Sequence, residues 1–321
     1  MHRRAFIYQA ALAGIGAQVS FAANADTPRS RFTRNSTADE VTAGLNLSGM
    51  TAVVTGCNSG IGFETMRVLA ARGAHVIGTA RSLDKGREAC GKVSGKTTPV
   101  ALELTDFDSV VACADAIRGM NVNLDMLILN AGIVLGDWQR VNGIEKQFVV
   151  NHLGHFILAQ RLLDRVTSAA QGRVVVVGSG NHRDAPAGGI QFNDLSGRDW
   201  YRSGYAHSKL ANGLFSLELS RRLAETRATS NCLTPGPVDT NIRRDLPASA
   251  TPPNLKSPAQ GAATVCYVAA HPTLSRVNGE YFADCNPAPQ SAHQTDRAMA
   301  TRLWQVSTEL TSRYLVRASL Q

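Results

Sequence analysis

The chain has 321 residues, 44% of them hydrophobic and 18% charged, which allows a large buried core and excludes extensive disorder. Its formal net charge of +8 would suit an anionic partner, but basic residues never occur in runs longer than two. A nucleic-acid surface would show a basic stripe with interleaved aromatic residues, so no nucleic-acid partner is expected.

The six cysteines are far apart and form no C-x-x-C pair, which is typical of buried reduced thiols. His152 and His155 could share a helix face, but no neighbouring ligand completes a metal site, and none is predicted.

The first 25 residues have the organisation of a targeting signal. Arg3 and Arg4 precede a weakly apolar stretch at 10–23, and an Ala-x-Ala motif at 23–25 provides a cleavage site. The arginine pair resembles a twin-arginine export signal, which carries folded cargo. The apolar stretch of about 14 residues is shorter than the about 20 that a membrane-spanning helix needs. We therefore predict a cleaved signal peptide over residues 1–25 and a periplasmic or otherwise exported protein. A membrane-associated anchor, an organelle transit peptide and a cytoplasmic protein with a misassigned start stay open.

The folded domain is predicted to begin after a short connection. Residues 26–35 are polar and basic and indicate a linker. Residues 36–40, Ser-Thr-Ala-Asp-Glu, then have the pattern of a capped helix start. The predicted catalytic domain covers residues 36–321.

Apolar runs alternate with helical patterns through this domain. Six runs are predicted to be buried strands: Thr51–Thr55, His75–Thr79, Pro99–Leu104, Asp125–Asn130, Arg173–Gly178 and Ala228–Leu233. Segments between them have a helical pattern, such as Gly62–Arg72, Asp108–Gly119, Gly143–Asp164 and Ser203–Glu225. Continuous apolar strands that alternate with helices predict an α/β fold, a single doubly wound parallel sheet of the Rossmann type with helices on both faces. No separate substrate domain is expected.

A glycine-rich turn joins the first predicted strand to the first predicted long helix. Glycines at such a turn let the backbone approach a pyrophosphate, and the helix N-terminus supplies N–H donors. A tight turn with a purely structural role is the alternative. The candidate dinucleotide contacts are Gly56, Asn58, Ser59, Gly60, Ile61 and Gly62.

The residue after the second predicted strand indicates which dinucleotide is bound. An acidic residue there would bond the ribose 2′-hydroxyl of NAD, whereas an arginine would meet the 2′-phosphate of NADP. Arg81 stands near this position and favours NADP over NAD. A surface arginine without a ligand is the alternative.

Tyr205 and Lys209 are four residues apart on a predicted helix and therefore share one face. A nearby ammonium group favours the phenolate, which brings the phenol closer to a pH at which it both gives and takes a proton. Ser179 follows a predicted strand, so its hydroxyl should emerge at the carboxyl end of the sheet, where such sheets bind ligands.

Further motifs follow the glycine turn in a fixed order: Leu129-Asn130-Ala131-Gly132, Asn151, Ser179, Tyr205-x-x-x-Lys209 and Pro235-Gly236-Pro237-Val238-x-Thr240. In order and spacing they resemble the short-chain dehydrogenase/reductase family. The resemblance runs from about residue 36 to about residue 311 and is closest to the retinol dehydrogenase-like branch at residues 36–49, 151–156 and 279–285.

The resemblance implies a role for each member of a catalytic tetrad. Tyr205 would be the acid/base, and Lys209 would lower its pKa and hold the nicotinamide ribose. Ser179 would bond the reacting oxygen, and Asn151 would support a proton path. It also implies cofactor contacts by Tyr205, Lys209, Glu103, Leu104, Asn130, Ala131, Gly132, Pro235, Gly236, Val238 and Thr240. Glu103 replaces the family's usual aspartate, and Cys57 replaces its usual alanine.

These observations predict hydride transfer between NADP(H) and a small carbonyl or alcohol, and the branch implies an apolar aldehyde, ketone or alcohol. The substrate is expected to lie over two segments rich in Gly, Pro and polar residues, Asn181–Trp200 and Asn241–Ser257, which are expected to be mobile. A non-catalytic NADP-binding sensor or scaffold is the alternative, and a homo-oligomer stays open.

Overall fold

The computed structural model describes residues 26–244, 246 and 251–315. Within these residues the main sheet contains eight strands, which are β1 (Thr51–Thr55), β2 (His75–Ala80), β3 (Thr97–Ala101), β4 (Met126–Leu129), β7 (Arg173–Val177), β8 (Thr229–Thr234), β9 (Tyr281–Ala283) and β10 (Asn286–Pro287). A separate hairpin pairs β5 (Arg140–Val141) with β6 (Ile144–Glu145). The order across the sheet is β10-β9-β8-β7-β4-β1-β2-β3, and among these described strands only β10 is antiparallel to its neighbour.

Helices cover both faces of the sheet. They are α1 (Ala38–Val41), α2 (Gly60–Ala71), α3 (Leu83–Gly91), α4 (Phe107–Gly119), α5 (Lys146–Phe148), α6 (Gly154–Thr167), α7 (Gly204–Arg222), α8 (Pro258–Ala270) and α9 (Arg297–Thr311). One core against the sheet contains side chains of α1, α2, α3 and α8, and a second contains side chains of α4, α6, α7 and α9. Neighbouring strand residues alternate between the two cores, as Ala52 and Val53 do. Strands buried on both faces explain why the apolar runs are continuous.

The predicted doubly wound Rossmann-type fold is confirmed, and the six predicted strands are present with bounds that differ by a few residues. The helical pattern predicted over 143–164 divides into β6, α5, a π-helical turn at Val149–Leu153 and α6. The sequence patterns missed α3, α8, α9 and the two short strands β9 and β10. Helix α8 is apolar almost all round because it is buried between neighbours, so it has no helical alternation to detect.

The predicted linker at residues 26–35 packs against the sheet edge formed by β9 and β10. Ser30 donates from its hydroxyl to the Cys285 carbonyl at 2.9 Å, and the Phe32 ring lies 5.9 Å from the Tyr267 ring. Helix α1 begins with the expected capping box between Thr37 and Glu40. The predicted signal at 1–25 lies outside the described residues. Within the described ranges, no helix has the length and apolar character needed to cross a bilayer.

The chain reverses its direction of winding between β1 and β4. Strands β2 and β3 lie on one side of β1, and β4, β7 and β8 follow on the other. A crevice opens where the connections diverge, outside the carboxyl ends of these strands. The fold therefore brings the ends of β1, β2, β4, β7 and β8 to one edge of the sheet.

An aromatic cluster of Phe156, Phe215 and Trp304 packs between α6, α7 and α9. The Phe156 ring is 1% exposed and lies 5.8 Å from the Phe215 ring and 5.1 Å from the Trp304 ring.

Phe156→Ala should lower the free energy of unfolding by about 3–5 kcal/mol, because it removes buried apolar area and leaves a cavity. Urea unfolding measures the change. As a control, Leu310→Ala on the exposed side of α9 should change it by less than about 0.5 kcal/mol. Equal losses in both variants would contradict this packing.

Candidate active site

A cleft of about 720 Å³ lies at the carboxyl ends of the central strands. Most residues predicted to bind or react with ligands line its wall: Gly56, Asn58, Ser59, Gly60, Ile61, Gly62, Arg81, Glu103, Leu104, Asn130, Ala131, Gly132, Tyr205, Lys209, Pro235 and Thr240. Asn151, Ser179, Gly236 and Val238 do not line it. The described residues also show lining positions that sequence reasoning missed, including Ile133, Val134, Leu135 and Ile242.

The glycine turn is shaped for close approach of backbone to backbone. Gly56 and Gly60 have φ of +72° and +58°, a region that favours glycine. A Cβ at Gly62 would lie 2.2 Å from the Gly56 carbonyl oxygen and 2.6 Å from Asn130 Nδ2. The N-terminus of α2 thus faces the cleft at Gly60, Ile61 and Gly62. This cradle fits the pyrophosphate of a dinucleotide.

A buried hydrogen-bond network holds the turn against the end of β4. Thr55 Oγ1 accepts from the amides of Asn130 and Ala131, each at 2.9 Å. It also lies 2.9 Å from His155 Nε2, and His155 Nδ1 lies 3.1 Å from the Asn151 carbonyl oxygen. A carbonyl can only accept, so Nδ1 carries the proton and Nε2 accepts from the Thr55 hydroxyl. Burial lowers the pKa of His155 to about 4 and keeps the ring neutral.

Sequence reasoning missed this role and considered His155 only as a metal ligand. A detectable signal was its place four residues after Asn151, from which a helical side chain can reach the Asn151 carbonyl.

Asn151 lies in the π-helical turn and is fully buried. Its Oδ1 accepts from the Ile133 amide at 2.8 Å, and its Nδ2 donates to the Ile133 carbonyl at 3.0 Å and to Ser208 Oγ at 2.9 Å. A Cβ at Gly132 would lie 3.2 Å from Asn151 Oδ1 and 3.5 Å from Lys209 Nζ. The structure therefore brings Asn151 and Lys209 to the same small region behind Gly132.

Helix α7 presents Tyr205 and Lys209 to the cleft. Lys209 Nζ lies 5.7 Å from the centre of the Tyr205 ring and donates to the Val177 carbonyl at 2.9 Å. Lys209 is 3% exposed, and burial lowers the pKa of its amine to about 8. The amine stays mostly protonated at neutral pH, so a cation lies beside the phenol.

Ser179 lies next to the cleft, one residue after the lining residue Gly178. Its hydroxyl donates to Asn181 Oδ1 at 3.1 Å and accepts from the Asn181 amide at 3.2 Å. His182 Nδ1 donates to the Ser179 carbonyl at 2.8 Å. This hydroxyl is thus held by the turn that follows β7.

The segment Asn181–Trp200, expected to lie against the substrate, packs against α7. The Gln191 amide donates to His207 Nε2 at 3.0 Å, and the Trp200 ring lies 3.9 Å from the His207 ring. Burial lowers the pKa of His207 to about 3, so the ring is a neutral acceptor. In the second expected segment, Asn241, Ile242 and Arg244 line the cleft, and residues 245 and 247–250 lie outside the described residues.

Two ends of the cleft differ in charge and polarity. Arg81 is exposed at the end of β2, and Glu103 Oε1 accepts from the Thr105 amide and hydroxyl at 3.0 and 2.8 Å. The wall after β4 is apolar at Ile133, Val134 and Leu135. The fold and this cleft define a dinucleotide-binding α/β protein.

Comparison with known proteins identifies the family. The family model described as short chain dehydrogenase matches residues 50–250. The chain is 37% identical to short-chain dehydrogenase TIC 32 A of Brassica napus, over 88% of this chain and 95% of that protein. It is 38% identical to retinol dehydrogenase 12 of Mus musculus, over 84% of this chain and 88% of that protein. A crystal structure of an uncharacterized protein from Mycobacterium paratuberculosis has a TM-score of 0.69 at 32% identity and covers 85% of this chain and 97% of that chain.

The chain belongs to the short-chain dehydrogenase/reductase family, near its retinol dehydrogenase branch. It is an NAD(P)-dependent oxidoreductase that binds a nicotinamide cofactor and a small-molecule substrate.

Gly62→Ala tests the cradle. The added Cβ would meet the Gly56 carbonyl at 2.2 Å, so the turn must open and dinucleotide affinity should fall by about 10-fold or more. Titration followed by the change in protein fluorescence measures the dissociation constant. Gly119→Ala, where an added Cβ has no neighbour within 4 Å, serves as control and should bind like the unmodified chain. Unchanged affinity in Gly62→Ala would rule out this turn as the cofactor cradle.

Proposed function

We propose that this protein transfers hydride between NADP(H) and an apolar aldehyde, ketone or alcohol. The observation that carries the proposal is the position of Tyr205 and Lys209, side by side on α7, in the wall of a cleft that also contains the glycine turn. A proton-transfer group therefore lies beside a cradle for a dinucleotide.

Each member of the tetrad has a role that its contacts support. Tyr205 exchanges a proton with the substrate oxygen, and Lys209 stabilises the phenolate by its charge. Ser179 donates to the same oxygen when its hydroxyl turns from Asn181 Oδ1. Asn151 holds Ile133 and Ser208, the residue before Lys209, by side-chain hydrogen bonds. The bound nicotinamide supplies or accepts the hydride at the substrate carbon.

NADP preference rests on charge at the end of β2. Arg81 is exposed in the cleft, where a guanidinium group can bind a 2′-phosphate. The neighbouring positions Ala80 and Ser82 carry no acid that would accept from the 2′-hydroxyl of NAD.

An apolar substrate is supported by the lining of the cleft. Ile133, Val134, Leu135 and Ile242 give it apolar surface, which favours a hydrocarbon-rich carbonyl compound. Relatives named retinol dehydrogenase support the same substrate class.

Tyr205→Phe tests catalysis against simple binding. Loss of the phenol hydroxyl should lower kcat for NADPH-dependent carbonyl reduction by about 10²- to 10⁴-fold, because proton transfer to the substrate oxygen is lost. NADPH absorbance across a panel of apolar aldehydes and ketones measures the rate. Tyr201→Phe, outside the cleft lining, is the matched control and should keep full activity. Unchanged rates in Tyr205→Phe, or no turnover in either protein, would favour an NADP-binding sensor or scaffold.

Arg81→Asp tests the cofactor preference. Reversing the charge should raise the KM for NADPH by about 10- to 100-fold, since a charge-assisted bond to the 2′-phosphate becomes a repulsion. The KM for NADH should change little or fall. Arg87→Asp, at an exposed position on α3, controls for net charge. NADPH affinity that survives the reversal would exclude Arg81 as the selector.

We also propose that residues 1–25 direct export of the folded protein, loaded with cofactor. N-terminal sequencing of the mature protein should find Asp26 first. Changing both Arg3→Lys and Arg4→Lys keeps the charge and should leave an uncleaved chain in the cytoplasm, because the pair is read by a receptor. An intact Met1 on the unmodified soluble protein would overturn the export proposal.

A further inference from the structure

Lys256 is a buried lysine that is hydrogen-bonded to the segment 235–240, which follows β8 along the chain. It is 3% exposed, and its ammonium group donates to the Pro235 carbonyl at 3.0 Å and to the Asp284 carboxylate. Its carbon chain covers Gly236, where a Cβ would lie 3.3 Å from Lys256 Cε. The lysine therefore touches two consecutive residues of this segment and the turn after β9.

The main chain of Lys256 is bonded to the same segment. Its amide donates to the Pro237 carbonyl at 2.8 Å, and its carbonyl accepts from the Asp239 amide at 2.9 Å. Val238 and Lys256 form an isolated parallel bridge. Side chain and main chain of one residue thus hold the segment from Pro235 to Asp239.

The segment 235–240 extends from the part of the cleft near Lys209 to the glycine turn. Pro235 follows β8, next to the strand whose Val177 carbonyl accepts from Lys209. At the other end, Thr240 reaches the glycine turn, because its Cγ2 lies 3.0 Å from where a Cβ of Gly60 would stand. Pro235 and Thr240 both line the cleft. The position of this segment therefore sets the width of the cleft between Tyr205 and the glycine turn.

We propose that Lys256 and Asp284 are positioning residues that hold the segment 235–240 against the nicotinamide half of the cofactor. A buried ammonium group is costly unless its acceptors stay in place, so it fixes the Pro235 carbonyl relative to the Asp284 carboxylate. Asp284 is itself held in a tight turn, with φ of +50° and its carbonyl bonded to Asn286 Nδ2 at 3.0 Å. The proposal rests on the proposed function, since it assumes that the cleft binds NADP(H).

The test compares a whole cofactor with its adenosine half. Lys256→Met keeps an unbranched apolar stem and removes the ammonium group, so the segment 235–240 loses its anchor. The dissociation constant for NADPH should rise by about 10-fold, while that for 2′,5′-ADP, which lacks nicotinamide, should stay within about 2-fold. Titration calorimetry measures both, and kcat should fall together with NADPH affinity. Lys92→Met, an exposed lysine paired with Glu88, is the matched control and should change neither constant.

A second variant keeps the test sound if Lys256→Met fails to fold. Asp284 is 45% exposed, so Asp284→Asn should fold and give a smaller change in the same direction. Equal weakening of both ligands would show a general loss of structure and overturn the positioning role, and so would unchanged NADPH binding in both variants. If the unmodified protein binds neither ligand, the NADP proposal itself fails. If it binds both and only the variants behave differently from expectation, the failure belongs to Lys256 and Asp284 alone.

Discussion

The buried ammonium group of Lys209 imposes the strictest requirement on this site. An ammonium at 3% exposure has lost most of its hydration, and its bond to the Val177 carbonyl offsets only part of that cost. The result is a pKa lowered to about 8, which still leaves the amine mostly protonated at pH 7. A bound anionic dinucleotide would stabilise the charged form further. The charge that the phenol needs is thus kept close to it by a carbonyl at the end of β7.

Other buried polar groups fix the positions of the cleft walls relative to the amine of Lys209. The neutral His155 ring joins Thr55, at the end of β1, to the carbonyl of Asn151 in the π-helical turn. Asn151 in turn bonds Ile133 and Ser208, the residue before Lys209. Because unpaired polar groups are costly when buried, each bond in this chain favours a single arrangement of the strand ends. Lys256 performs a similar task on the opposite wall, where it ties the segment after β8 to the turn after β9.

Fold and site differed in how far they could be predicted. The central strands were predictable because a parallel strand covered on both faces must be apolar throughout. Strands β9 and β10 escaped detection, since they have only three and two residues and no pattern can develop over so short a length. The helix predicted over 143–164 merged β6, α5, a π-helical turn and α6, because the apolar positions continue through all four. Of the tetrad, the structure brings Tyr205 and Lys209 to the cleft wall, while the Ser179 hydroxyl is bonded to Asn181 and Asn151 lies behind Gly132.

The sequence by itself determined the features that depend on local spacing. Glycines at 56, 60 and 62 specify a turn that only small residues can form, and four residues of helix bring Tyr205 and Lys209 to one face. Only the tertiary structure decided which distant groups meet: Thr55 and His155 are 100 residues apart, and Lys256 and Asp284 are 28 apart. Such contacts depend on strand order and loop path, which no local pattern encodes. Short sequence motifs therefore supply the reactive groups of the cleft. Buried polar bonds between remote parts of the chain set the positions of those groups.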